Sequence, residues 1–150
     1  IRQIFRHKKR FLDLLLLADE QESMIDLYLE RGEMFALYDQ NILKTICVVT
    51  DEGGKTIELK NIATDPQYQK QGYGKRLIRF ISEHYAGKYD TLLVGTGESP
   101  LTIPFYAQNG FKYSHRIKDF FTDNYDHPIY EDGKQLVDMV YLRKELSKSK

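Results

Sequence analysis

The sequence lacks features that mark several classes of protein. Its one cysteine, Cys47, cannot form a disulfide within the chain, and the apolar run around it predicts a buried strand residue. Lys and Arg together number 22, as do Asp and Glu, so the basic excess of proteins that bind nucleic acid or anionic membranes is missing. The four histidines show no metal-ligand spacing. We therefore expect no nucleic acid, no membrane and no metal among its partners.

Long apolar runs are missing too. Residues 11–17 are apolar except for Asp13, but this run is too short to cross a membrane, and no segment resembles a signal peptide. We expect a cytoplasmic protein. The chain opens at Ile1 rather than a methionine, which predicts that a few residues precede it. What is present is ordinary: 150 residues, 41% hydrophobic and 29% charged, predict one globular domain over residues 1–150.

The most informative stretch runs from Ile57 to Tyr85. Residues 57–64 contain no turn former and predict a strand, which Asp65-Pro66 ends because proline has no backbone N–H to donate. A turn with two glycines follows, Gln69–Gly74. Beyond it apolar residues recur at steps of about four, the pattern of a helix that lies on a sheet: Tyr73, Leu77, Ile78, Ile81 and Tyr85.

The junction between this turn and this helix is suited to anions. The first turn of a helix leaves backbone N–H groups unpaired and carries partial positive charge. Gly72 and Gly74 let a ligand approach the backbone closely. Residues 67–82 contain no acid and four cations, Lys70, Lys75, Arg76 and Arg79. The alternative is a helix with two tolerated glycines and a solvated basic face. A P-loop is excluded, because Arg76 follows Lys75 where a Ser or Thr would hold magnesium.

Two blocks of sequence together resemble one family. Residues 58–66 followed by the Q-x-x-G-x-G turn Gln69–Gly74 resemble motif A of the GNAT family of acyl-CoA-dependent N-acetyltransferases. Residues 104–111, Pro-Phe-Tyr-Ala-Gln-Asn-Gly-Phe, are similar to the FY-x-x-x-GF signature of the same family. The two blocks stand at the family's usual separation, with a helix and a strand between them. The resemblance covers nearly the whole chain and is closest to small bacterial members.

The resemblance implies an α/β (α+β) fold: a mixed, mostly antiparallel central sheet of six to seven strands, flanked by about four helices. The other segments agree. Residues 1–6, 33–39, 43–51, 91–94, 111–114 and 135–142 predict strands, and residues 11–17 and 24–29 predict helices. Ser99 is the expected N-cap of the helix that holds the second block. Pro104 lies deep in that helix, which therefore starts late or is kinked.

The resemblance also implies a reaction, the transfer of acetyl from acetyl-CoA to a primary amine by direct attack in a ternary complex. Glu58 stands where several relatives keep a general base; the alternative is a strand glutamate with no role. Tyr106 matches a tyrosine whose hydroxyl points at the CoA sulfur and would protonate the leaving thiolate; the alternative is a core tyrosine. Backbone N–H groups near Ile62 would meet the thioester carbonyl and the pantetheine arm.

The residues that the resemblance assigns to acetyl-CoA follow the motif A strand, the turn and the second block. They are Ile62, Ala63, Thr64, Gln69, Lys70, Gln71, Gly72, Tyr73, Gly74, Lys75, Ser99 and Tyr106. Ser99 stands near an asparagine that touches the pantetheine in many relatives, so this contact stays open.

The sequence does not name the acceptor. Residues 119–138 hold six acids and one lysine. They form either a solvated loop or an overhang that attracts a cationic amine, whether small molecule or peptide. A rival hypothesis from another class is a non-catalytic acyl-CoA-binding sensor or interaction domain. Whether the chain forms a homodimer is left open.

Overall fold

The computed structural model describes residues 1–146. The strands are β1 (Arg2–Ile4), β2 (Glu33–Asp39), β3 (Ile42–Gly53), β4 (Thr56–Thr64), β5 (Thr91–Gly97), β6 (Lys112–Ile117), β7 (Tyr130–Glu131), β8 (Lys134–Gln135) and β9 (Met139–Glu145). The helices are α1 (Leu12–Ala18), α2 (Glu22–Asp26), α3 (Tyr73–Tyr85), α4 (Thr102–Gln108) and α5 (Phe120–Asn124), with 3₁₀ turns at Lys8–Phe11 and Pro66–Tyr68.

Seven strands form one sheet in the order β1-β2-β3-β4-β5-β9-β6. Every neighbouring pair is antiparallel except β4 and β5, which α3 connects in parallel. The predicted mixed, mostly antiparallel sheet with flanking helices is confirmed. β7 and β8 form a separate hairpin. Among residues 1–146 the longest helix, α3, has 13 residues, and no helix there is long and apolar enough to cross a membrane.

The helices pack on both faces of the sheet. On one face α3 buries Leu77, Ile78 and Ile81 against the centre of the sheet, and Tyr106 of α4 and Phe111 join this cluster. On the other face α1 and the segment around α2 cover β2, β3 and the end of β4, with Leu15 and Ile25 fully buried. Burial of these apolar stripes explains why the periodic segments of the sequence form helices on a sheet.

A β-bulge at Lys60 changes which face β4 presents. Val48 pairs with Asn61 and Val49 pairs with Leu59, so Lys60 is an extra residue in β4. Side chains two residues apart normally share a face of a strand. Here Leu59 packs beneath α3, whereas Asn61 bonds to α1 on the opposite face. The bulge therefore turns the end of β4 towards α1 and α2.

Three predicted boundaries were wrong. α2 ends at Asp26 instead of reaching residue 29, and the chain then turns through Gly32 into β2, where a Cβ on Gly32 would lie 2.6 Å from the Val48 side chain. The last strand is Met139–Glu145, since residues 134–135 belong to the separate hairpin. Ser99 is not the N-cap of α4, because that helix starts at Thr102. The expected late start has a simple reason: Pro104 then lies in the first turn, where no N–H donor is needed.

Candidate functional site

A cleft of about 380 Å³ opens where β4 and β5 part. Residues Thr56–Leu59 of β4 pair with residues Thr91–Val94 of β5, and the pairing stops there. Beyond that point the end of β4 and the end of β5 form opposite walls, while the α1–α2 loop, α4 and the segment after α5 complete the enclosure. Five of the predicted acetyl-CoA residues line it: Ile62, Ala63, Thr64, Gln69 and Tyr106.

The glycine turn lies beside the cleft and opens α3. Its residues Lys70, Gln71, Gly72, Tyr73, Gly74 and Lys75 are outside the cleft lining. Gly72 has φ +88°, a backbone conformation that residues with a side chain rarely adopt. A Cβ there would meet no atom within 4 Å, so glycine is favoured by the backbone conformation and not by crowding. The Arg76 N–H bonds to the Gly72 carbonyl at 3.0 Å, and the first turn of α3 contains no acid. The amides ahead of Arg76 lie at the start of the helix, where backbone N–H groups lack intrahelical acceptors and are suited to an anion.

Side chains from distant strands brace this turn. The Tyr73 hydroxyl donates to Asp39 at 2.9 Å. The Lys44 ammonium lies 3.3 Å from the centroid of the Tyr68 ring, and the Gln69 amide donates to the Thr64 carbonyl at 3.2 Å. Sequence reasoning missed Lys44 and Tyr68, because only the pairing of β3 with β4 brings them together.

Tyr106 lies at the junction of the cleft and the core. Its ring makes edge contacts with Phe105 and Phe111 at centroid distances of 5.3 and 5.5 Å. Its hydroxyl has no hydrogen-bond partner among the described residues. Burial, and to a smaller degree the charge of Glu131, raise its pKa well above the usual value. The hydroxyl is therefore protonated at neutral pH and able to donate a proton.

Glu58 lies next to the cleft but is not part of its lining. Its carboxylate is 3.1 Å from the Lys60 ammonium, and the Tyr141 hydroxyl donates to it at 3.4 Å. Burial raises the pKa of Glu58, and the charge of Lys60 offsets only part of that effect. The Tyr141 ring in turn stacks on His115 at a centroid distance of 4.7 Å. A raised carboxyl pKa is a common property of catalytic bases, although structural groups share it.

Ser99 is buried and also lies outside the lining. Its hydroxyl donates to the carboxylate of Glu131 at 2.9 Å and accepts from the Leu101 N–H at 3.1 Å. Of the six acids in residues 119–138, Glu131 is the one that lines the cleft. Asp138 pairs with Arg116, and Asp126 with His127. Most of this acidic segment therefore faces away from the cleft.

A polar network in the cleft went unpredicted. Asn61 donates to the Tyr28 hydroxyl at 3.1 Å, and this hydroxyl donates to Asp19 at 3.2 Å. The Tyr125 hydroxyl donates to Asp19 from the other side of the cleft at 2.6 Å. Asn61, Asp19 and Tyr125 all line the cleft. Within residues 1–146 no group of three or more His, Cys, Asp or Glu side chains is arranged to hold a metal.

The parted parallel strands, the cleft between them and the glycine turn at its edge define an acyltransferase. Residues 30–113 match the sequence model of a family described as the acetyltransferase (GNAT) domain. The protein belongs to the GNAT family of N-acetyltransferases, as its two sequence blocks predict.

Individual relatives agree with this assignment. The chain is 39% identical over 137 residues to the uncharacterized N-acetyltransferase YvbK of Bacillus subtilis, covering 89% of this chain and 88% of that protein. A GNAT acetyltransferase of Elizabethkingia anophelis with acetyl-CoA bound has a TM-score of 0.86 and 37% identity, with 90% of each chain covered. A B. subtilis acetyltransferase in complex with CoA has a TM-score of 0.87 and 35% identity, with 97% of each covered.

Proposed function

We propose that this enzyme moves the acetyl group of acetyl-CoA to a primary amine by direct attack in a ternary complex. The observation that carries the proposal is the cleft between β4 and β5, which has the partner-free Tyr106 hydroxyl in its wall and the start of α3 at its edge. Relatives of similar sequence hold acetyl-CoA or CoA. The residues of this chain fit that molecule, because a helix start suited to anions adjoins a groove in which the end of β4 does not pair with β5.

Binding of acetyl-CoA would use both features. The diphosphate would bind the backbone amides of the Gln69–Gly74 turn, with Lys70 and Lys75 adding positive charge. The pantetheine arm would extend along Ile62, Ala63 and Thr64, whose strand has no pairing with β5. An N–H group near Ile62 would then stabilise the negative charge that builds on the thioester oxygen.

The reaction needs two proton transfers. The amine nitrogen attacks the thioester carbonyl carbon, the C–S bond breaks, and the nitrogen loses a proton. Glu58 would accept this proton through water, because the carboxylate stands behind the cleft wall. Tyr106 would donate a proton to the CoA thiolate and regain one from solvent. These roles are supported by position: Tyr106 in the lining, and Glu58 beside Lys60 of the lining.

Release of free thiol from acetyl-CoA tests the proposal. The protein is incubated with acetyl-CoA and a broad panel of primary amines, and mass spectrometry identifies each acetylated product. We expect thiol release that depends on the amine, with stoichiometric N-acetyl product. Tight CoA binding without thiol release above background would instead establish the non-catalytic acyl-CoA-binding domain.

A further inference from the structure

The charged groups of the cleft are unbalanced. Its lining includes the acids Asp19, Glu20 and Glu131 and, among the described residues, one cation, Lys60. The Lys60 ammonium already faces Glu58 at 3.1 Å. Glu20 faces His127 at 4.0 Å, whereas Asp19 and Glu131 have no ion-pair partner within residues 1–146. The lining of the cleft thus carries negative charge without a matching cation among the described residues.

Asp19 receives hydrogen bonds but no positive charge. One carboxylate oxygen accepts from Tyr125 at 2.6 Å and the other from Tyr28 at 3.2 Å. Desolvation by burial raises the pKa of Asp19, and hydrogen bonds from the two hydroxyls and from the Gln21 backbone N–H lower it only in part. A carboxylate offers about four acceptor positions, so these three donors leave about one position of Asp19 unused. An additional donor, preferably a cation, would complete this group.

Asn61 has an acceptor that nothing uses. Its side-chain nitrogen donates to the Leu15 carbonyl at 3.0 Å and to the Tyr28 hydroxyl at 3.1 Å. A carbonyl can only accept, so these bonds fix the orientation of the amide. Oδ1 is then the one buried side-chain polar atom of the described residues without a partner, on a residue only 3% exposed that lines the cleft. Buried polar groups are rarely left unpaired, so we expect Oδ1 to accept a hydrogen bond from a bound molecule.

The rest of the lining is suited to a hydrocarbon chain. Leu17 is 52% exposed although it lines the cleft, and the segment after α4 contributes further apolar side chains, Phe121, Ile129, Leu136 and Met139. An occupant that combines methylene groups with N–H donors would match both surfaces.

Building on the proposed function, we infer that Asn61 and Asp19 form a subsite for a second ammonium group of the acceptor, whose class is therefore an α,ω-diamine. The reacting amine must be neutral, but a second amine stays charged and offers three donors. One tyrosine hydroxyl, that of Tyr28, joins Asn61 to Asp19, so the two side chains belong to one hydrogen-bonded network in the cleft lining. The acids of the cleft attract the dication and the apolar wall holds its chain.

Calorimetric titration of the CoA-saturated protein tests the subsite. The probes are α,ω-diaminoalkanes of three to eight carbons and n-alkylamines of the same lengths. The best diamine should bind at least tenfold more tightly than its matched monoamine. Asp19→Asn, which keeps the size of the side chain, should reduce this advantage, because diamine affinity should fall by more than monoamine affinity. Asp13→Asn makes the same charge change on exposed Asp13 of α1, outside the lining, and should keep the advantage.

A second variant guards against misfolding. Asn61→Ala should also lower diamine affinity selectively, while its CoA affinity, measured in parallel, reports an intact fold. Equal binding of diamines and monoamines by the wild type, or an equal loss of both in Asp19→Asn, overturns the subsite even where thiol release proves the acetyltransferase. Conversely, a diamine preference that depends on Asp19, without acetyl transfer to any amine, retains the subsite and overturns the proposed function.

Discussion

Tyr73, the first residue of α3, donates a hydrogen bond of 2.9 Å to Asp39 at the end of β2. This bond links the glycine turn to a hairpin that has no part in the cleft lining. Together with the contact between Lys44 and Tyr68, it braces the glycine turn against the β2–β3 hairpin. A turn fixed in advance binds its ligand without first losing conformational freedom.

Loss of this brace should weaken CoA binding. Tyr73→Phe removes the hydroxyl and keeps the ring, so we expect the Kd for CoA to rise by roughly two- to tenfold, the effect of one net hydrogen bond. Calorimetric titration measures it. Tyr89→Phe is the matched control, since its hydroxyl donates to Asp51 at 3.0 Å outside the turn and the cleft. Equal affinities of both variants and the wild type would show that the brace has no effect on binding.

At position 72 a negative charge should weaken CoA binding more than the added side chain does. Both Gly72→Asn and Gly72→Asp must adopt φ +88° at a position with open space around it, and the two side chains are nearly the same size. If the diphosphate binds here, the Asp variant repels it, and we expect CoA affinity at least tenfold below that of the Asn variant. Titration of both variants gives the comparison, and circular dichroism checks the fold. The same CoA affinity in both variants would show that the diphosphate does not bind at this turn.

Tyr106→Phe tests the proton donor. The ring still packs on Phe105 and Phe111, but the hydroxyl that would protonate the thiolate is gone. We expect kcat to fall by roughly one to three orders of magnitude, with little change in the KM for acetyl-CoA. Thermal unfolding serves as the control, since the hydroxyl has no hydrogen-bond partner to lose. A large loss of stability in parallel with activity would make Tyr106 a core residue.

The fold and the glycine turn could be predicted because their signals are local. The apolar stripe of α3 and the Q-x-x-G-x-G turn lie within one stretch of chain, and each dictates its own conformation. The Asp19–Tyr125 bond joins residues 106 positions apart, and neither residue type indicates such a partner. The bulge at Lys60 has no sequence signature either, so the face that Asn61 occupies could not be foreseen. The N-cap prediction for Ser99 was wrong because α4 begins at Thr102, and the Ser99 hydroxyl bonds instead to Glu131 and to the Leu101 N–H.

The buried ammonium of Lys8 should stabilise the fold. It donates to the carbonyls of Leu29, Glu30 and Gly32, where α2 gives way to turns. Lys8→Met keeps the length of the side chain but leaves these carbonyls without their donor, so we expect a loss of about 1.5–3 kcal/mol in the free energy of unfolding. Urea denaturation measures it. Lys9→Met, next in the chain, breaks only exposed ion pairs with Glu22 and Asp26 and should cost clearly less. The reverse order of the two losses would rule out the proposed role of Lys8.

Glu58 should affect the pH dependence of both the free energy of unfolding and the rate of acetyl transfer. Its pKa is raised by burial, so the folded state disfavours its charge. A carboxyl whose pKa is higher in the folded than in the unfolded state supports folding at low pH, and this support is lost as pH rises through the folded value. Glu58→Gln should therefore gain stability relative to the wild type as pH rises above 4.5, the ordinary value for a glutamate. Glu52 has a lowered pKa because hydrogen bonds from Thr50 and Arg31 outweigh its desolvation. Glu52→Gln should therefore lose stability relative to the wild type, and this loss should shrink as pH falls below 4.5, the ordinary value for a glutamate.

The rate of acetyl transfer gives the second half of this test. An ammonium cannot attack a thioester, so a base that takes the proton from the bound amine raises the rate near neutral pH. Glu58→Gln removes that base while keeping the size of the side chain. We expect a large loss of rate at neutral pH and a partial recovery at high pH, where solution already deprotonates the amine. The affinity for acetyl-CoA should be unchanged. If the pH–rate profiles of variant and wild type coincide while the stability trend holds, Glu58 is a buried carboxyl without a catalytic role, and the amine loses its proton to another group or directly to water.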